Sequence, residues 1–138
     1  MTGSRIIYEM DCKSDPKEVR KIEAVIKKLS RENHLTKEQC YKLLIVCTEA
    51  VNNAIIHGNK LDGNKNVNVK CCVTAHKVTM TVKDKGAGFE MEKLPNPIEE
   101  KNLLKESGRG VFLIRSLMDD VKFKKLKNGS TMRMSLNR

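Results

Sequence analysis

Glu49 and Asn53 stand four residues apart in the stretch Glu49-Ala50-Val51-Asn52-Asn53-Ala54-Ile55-Ile56-His57-Gly58. On a helix this spacing puts both side chains on one face, about 6 Å apart. A carboxylate there can take a proton, and an amide oxygen is a hard ligand suited to Mg²⁺. A second carboxylate, Asp84, leads into glycines at Asp84-Lys85-Gly86-Ala87-Gly88-Phe89. Asp84 could cap the turn through its own backbone. Buried, it could instead accept a hydrogen bond from the amino group of adenine, with Gly86 and Gly88 letting the backbone approach a flat base. A third segment, Ser107-Gly108-Arg109-Gly110, opens a run with helical spacing. Backbone N–H groups at a helix start, with the helix dipole behind them, favour phosphate. Arg109 adds a fork of donors that suits phosphate oxygens. Each segment alone has a plain structural reading, but together they describe a site for a nucleotide and its metal.

The elements that must position these groups can be read from periodicity. Residues 5–10 form a short apolar strand candidate. Asp15 and Pro16 then open a helix, with Asp15 as N-cap. Val19, Ile22, Val25, Ile26 and Leu29 mark its buried stripe. Thr36 and Gln39 form a capping box for a second helix. Its core face is Leu43, Leu44, Cys47, Val51, Ala54 and Ile55, and Gly58 fits a C-terminal stop. This helix carries Glu49 and Asn53; His57 near its end complements the helix dipole. Val67, Val69, Cys71 and Val73 alternate with polar residues, as do Val78, Met80 and Val82 after a reversal at Ala75-His76-Lys77. Residues 86–107 hold Pro95 and Pro97, many charges and no clean period, which reads as a functional lid or a disordered segment. Val111, Leu113, Ile114 and Leu117 give a third helix. Residues 121–123 and 131–136 make a closing hairpin turned at Asn128-Gly129. The predicted order is β-α-α-β-β-lid-α-β-β. The fold class is α+β, a two-layer sandwich with helices on one face of a mostly antiparallel, mixed sheet.

Composition bounds the function. The chain has 138 residues, one domain by the usual size prior, and 39% are hydrophobic, which argues against disorder. No apolar run approaches the roughly 20 residues of a membrane span, and none near the N-terminus has secretory length. We therefore expect a cytoplasmic protein that does not engage a membrane. The five cysteines form no CxxC pair and read as reduced, mostly buried thiols rather than a zinc or redox site. The net charge of +10 permits an acidic partner or phosphates. The cations are scattered along the sequence and aromatics are only 4%, so no stacking platform for single-stranded nucleic acid is expected, and no direct nucleic-acid partner. No GxxxxGK[ST] loop occurs, nor the glycine-rich loop and HRD/DFG set of protein kinases.

ExxxN on a helix, DxGxGF after a strand, GxG at a helix start and Gly-Ser-Thr near the last strand, in this order, resemble the GHKL ATP-binding superfamily, the Bergerat fold. The segments from Glu49 to Gly58 and from Gly108 to Asp120 resemble the small anti-sigma-factor serine kinases of the RsbW type. The resemblance spans about residues 5–136. It implies that Glu49 is the general base and Asn53 the Mg²⁺ ligand. It implies that Asp84 binds the adenine amino group, with Gly88 packing on the base. Gly108 and Gly110 match the glycine box at the phosphates, and Thr131 matches a threonine that supports the adenine site through water. Some relatives carry an arginine two residues before that box. Glu106 stands there in this chain, so Lys105 or Arg109 would have to reach the γ-phosphate.

The resemblance thus implies a protein serine/threonine kinase using ATP and Mg²⁺, with ADP as product and a lid over about residues 90–107. Its partners would be an anti-anti-sigma antagonist, which it phosphorylates, and a sigma factor, which it sequesters; homodimerisation is also implied. Two other readings stay open at this point. One is a nucleotide-gated binding module without transfer activity. The other is a detached histidine-kinase catalytic domain, against which stands the lack of a preceding helical hairpin with a phospho-accepting His.

Overall fold

A computed structural model describes residues 5–86 and 106–138. Strand β1 (Ile6–Lys13) opens the chain. A 3-10 turn at Pro16–Glu18 follows, with the Asp15 carboxylate accepting from the Lys17 N–H at 3.0 Å. Pro16 has no N–H to leave unsatisfied, which suits it to that first turn. Helix α1 (Val19–Glu32) and helix α2 (Lys37–Asn53) come next. The capping box at Thr36 and Gln39 is formed in both directions, at 3.0 and 2.9 Å. Strands β2 (Asn66–Val73) and β3 (Lys77–Asp84) precede helix α3 (Glu106–Leu117), and strands β4 (Asp120–Leu126) and β5 (Gly129–Asn137) close the fold.

The sheet order is β1-β2-β3-β5-β4, and every neighbouring pair is antiparallel. The expected α+β architecture is therefore present, with a sheet that is antiparallel throughout rather than mixed. The register gives the sheet two unlike faces. Val69, Val82 and Met132 form one row of paired residues, and Cys71, Met80 and Met134 the next; all are buried. Against them pack Ile22, Ile26 and Leu29 of α1, Leu43, Val46, Cys47 and Val51 of α2, and Ile114 of α3. Burial of such side chains is worth roughly 1.5–3 kcal/mol each and is the main force holding the helices to this face.

Several local expectations shift. β1 runs to Lys13, because Asp11, Cys12 and Lys13 pair with Asn68, Val67 and Asn66. Val25 and Leu44 lie at the margin of the core and are only partly buried. The last hairpin turns at Lys127-Asn128 instead of Asn128-Gly129: Leu126 pairs with Gly129, and Gly129 itself takes the positive φ of 155° inside the strand. Three of the cysteines, Cys12, Cys47 and Cys71, are buried and none is bridged. Burial pushes the Cys12 thiol up to about 11 and Cys71 to about 12, so neither is a reactive thiolate. No helix among the described residues is long and apolar enough to cross a membrane.

Candidate functional site

Helix α2 does not stop at Gly58 by a left-handed cap. After Asn53 it widens into a π-turn over Ala54–Gly58, and the left-handed conformations fall later, on Lys60 (φ 52°) and Leu61 (φ 61°). Such π-turns gather at functional sites. Here the turn carries the chain from the Glu49–Asn53 face of α2 directly onto the end of β3.

Glu49 and Asn53 are both half-buried, and α3 comes down on them through Gly110. A Cβ placed on Gly110 would lie 2.6 Å from Glu49 Oε2 and 3.2 Å from Asn53 Nδ2. The glycine thus allows close approach: it lets α3, at its fifth residue, sit on the carboxylate–amide pair. Among the described residues Asn53 Nδ2, which is buried, has no hydrogen-bond partner. Buried polar atoms are nearly always bonded, so this amide beside a carboxylate has a donor to spare for a ligand. A side-chain amide also flips its oxygen and nitrogen with little change of shape. Asn53 can therefore present a donor to a phosphate oxygen or a hard oxygen to Mg²⁺. Among the described residues no group of three or more His, Cys, Asp or Glu could hold a metal.

The second half of the site is built around Asp84, at the end of β3. Its Oδ1 accepts from the Gly86 N–H at 3.0 Å, and the Ser130 backbone also bonds it. Burial nevertheless outweighs these bonds and raises the carboxyl above its ordinary 3.8. Three glycines make room for it. A Cβ on Gly58 would collide with the Asp84 carboxylate, one on Gly129 with the Asp84 carbonyl, and one on Gly86 with the Gly58 backbone. The Asp84–Gly86 bond is the turn cap through its own backbone that the sequence leaves open to Asp84. The position of Gly58 beside the carboxylate escaped the sequence reading, which saw only a helix stop.

Thr131 does not reach this cluster. It pairs with Lys83, whereas Asp84 pairs with Ser130. Paired residues share a face and neighbours alternate, so Thr131 lies on the open face and Ser130 on the helix-covered face with Asp84. Ser130 Oγ is buried and has no hydrogen-bond partner among the described residues. Ser130, which sequence reading passed over by one residue, is the hydroxyl available beside Asp84. Gly88 and Lys105 lie outside the described residues, as does most of the lid; residues 106 and 107, read as its end, belong to α3.

The carboxylate–amide pair, the helix start pressed onto it and the carboxylate among glycines at a strand end define a nucleotide-binding domain of the α+β type. This chain belongs to the histidine kinase-like ATPase domain family, whose model matches residues 12–136. Among its relatives, an anti-sigma F factor of Anoxybacillus flavithermus is 32% identical over 102 residues, covering 72% of this chain and 70% of that protein. A serine-protein kinase RsbW of Staphylococcus aureus is 35% identical over 98 residues, covering 66% of this chain and 61% of its own length. An anti-sigma F factor of Bacillus licheniformis is 34% identical over 88 residues, 62% of this chain and 60% of that one. The matches therefore span 60 to 70% of these relatives' lengths. In structure, the chain superimposes with a TM-score of 0.71 at 14% identity on the crystal structure of the RsbU and RsbW domains of a Mycobacterium tuberculosis protein, over 96% of this chain and 33% of that one.

Proposed function

We propose that this protein is an ATP-dependent serine/threonine protein kinase that acts as an anti-sigma factor. The observation that carries the reading is Gly110, which seats the start of α3 on Glu49 and Asn53. That contact puts a proton acceptor, a metal-competent amide and a helix N-terminus within reach of one phosphoryl group. The names of the relatives point to the same activity.

Phosphoryl transfer is mostly positioning and charge neutralisation. Asp84 accepts from the adenine amino group, and Ser130 Oγ supports the base from the neighbouring strand. Asn53 holds the phosphates and their Mg²⁺. The ion, when bound, neutralises charge on the transferring group. The free backbone N–H groups at the start of α3, up to Gly108, face the phosphate oxygens, and Arg109 or Lys105 supplies the cation for the γ-phosphate. Glu49 takes the proton from the attacking serine or threonine hydroxyl of an anti-anti-sigma antagonist. ADP and the phosphorylated antagonist leave. A lid over about residues 90–107 closes over the nucleotide, and the nucleotide state decides whether a sigma factor is held. These reactions belong in the cytoplasm. A homodimer is part of this reading; β1 is an outer strand of the sheet, with Ile6 and Ile7 exposed.

The test is to incubate the protein with γ-labelled ATP, Mg²⁺ and a candidate antagonist, and to map the label by mass spectrometry. We expect phosphoserine or phosphothreonine on the antagonist. Nucleotide-dependent binding of the partners with no label transferred would leave a gated binding module in place of a kinase.

A further inference from the structure

Asn59 follows the π-turn of α2 and is 1% exposed. A primary amide in an apolar interior is costly unless all its groups are bonded. Here they reach three segments. Nδ2 donates to Ser14 Oγ at 2.8 Å and lies 3.3 and 3.2 Å from the carbonyls of Lys65 and Asn66. Ser14 Oγ in turn donates to the Lys65 carbonyl at 2.5 Å. On its other side, Asn59 Oδ1 accepts from the Lys85 N–H at 2.8 Å.

The last bond is the informative one. Lys85 lies just past the end of β3 and sits between Asp84 and Gly86. Without Asn59 its N–H would be left at the point where the chain turns away from the sheet. The bond holds the peptide that follows Asp84, while the backbones of Gly58 and Gly86 meet directly beside it. The end of α2 and the end of β3 are thus joined at two adjacent residues. Nothing in this junction needs a ligand to form.

We propose that Asn59 is a positioning residue that sets the base selectivity of the site, by holding Asp84 in the one orientation that accepts from an exocyclic amino group. This rests on the reading of Asp84 as the group that meets the base. The amide touches no nucleotide; it acts through the Lys85 peptide. The ligand class it selects is a nucleoside phosphate with an amino group at the purine 6-position, against one with a carbonyl there.

The experiment measures dissociation constants of the full chain for ATP and ITP, both with Mg²⁺, by calorimetry. ITP differs from ATP at the 6-position, where a carbonyl replaces the amino group. The wild type should prefer ATP. Asn59→Ala should reduce that preference about tenfold, the worth of one well-made hydrogen bond. Ser14→Ala breaks the other side of the same network and leaves the Lys85 bond in place. It should lower the melting temperature yet keep the preference within about twofold of wild type, well short of that one-bond effect. An unchanged ratio in Asn59→Ala overturns the proposal, as does an equal collapse in Ser14→Ala, which would make the network merely structural. A wild type without preference for ATP removes the base-reading role of Asp84 itself, a separate failure. If Asn59→Ala does not fold, hydrogen exchange at the Lys85 amide of the wild type decides. Protection like that of β3 without nucleotide supports the proposal, and protection only after ATP is added overturns it.

Discussion

The two halves of the candidate site are built on opposite principles. Around Asp84 most groups are already bonded, the Ser130 hydroxyl apart: the Gly86 and Ser130 backbones donate to the carboxylate, Asn59 holds the next peptide, and three glycines close the space. Around Glu49 and Asn53 the packing is close but the bonding is unfinished, with Asn53 Nδ2 buried and without a partner among the described residues. Completed hydrogen bonds hold a geometry in the absence of ligand. Unspent polar groups are what a ligand can stabilise and be stabilised by. The base-side half is therefore suited to recognition, and the α2–α3 half to holding charge that develops during reaction.

The sharpest way to break this contrast is Glu49→Gln, which keeps shape and removes the proton acceptor. Transfer to the antagonist should fall roughly 10²–10⁴-fold with ATP affinity nearly unchanged. Transfer at the wild-type rate would return Glu49 to an ordinary half-buried carboxylate. Gly110→Ala should cost about 10²-fold in rate, because the new methyl group moves the Glu49 carboxylate off its position and small misplacements are expensive in catalysis. The atom it meets, Glu49 Oε2 at 2.6 Å, ends a flexible side chain, so the melting temperature should hardly change. A large loss of stability instead would mean that the helix contact is a structural seam.

Asp84→Asn tests the other half. It should weaken ATP binding by about 1.5–3 kcal/mol through loss of a charged hydrogen bond, and leave the turnover of bound ATP largely intact. Equal affinity of variant and wild type by calorimetry would take Asp84 out of the site. The smallest expected effect concerns pH. Burial raises the Asp84 carboxyl above 3.8, so its charged form is disfavoured by folding. Its contribution to stability is full below 3.8 and is lost as pH rises through the folded value. Without nucleotide, Asp84→Asn should then melt slightly higher than wild type at pH 7, and the two should converge as pH falls toward 3.8. A wild-type protein that melts higher at pH 7 would show that the donors around Asp84 outweigh its burial.

The charge of the chain shows a related contrast between the two sheet faces. Along the sequence the cations look scattered. Paired in register, Lys70, Arg133 and Lys122 fall in one row of the open face, and Lys83 and Lys124 in the next. Strands about 4.8 Å apart bring these distant cations to one face, with Glu9 and Asp11 at the β1 end of the same two rows.

What the sequence determined by itself were the patterns that one element contains. The capping box of α2, the Glu49–Asn53 spacing, the alternation in β2 and β3 and the glycines around Asp84 and Gly110 all act over a few residues. Local sterics and hydrogen bonding dictate them wherever the segment sits. Tertiary structure decided what needs a second element to have meaning. Gly58 reads as a helix stop until β3 brings a carboxylate against it. Asn59 reads as a loop residue until three segments close on its amide. Ser130 and Thr131 cannot be told apart without the pairing of β3 with β5, because a strand presents successive side chains to opposite faces and only the register says which face meets Asp84.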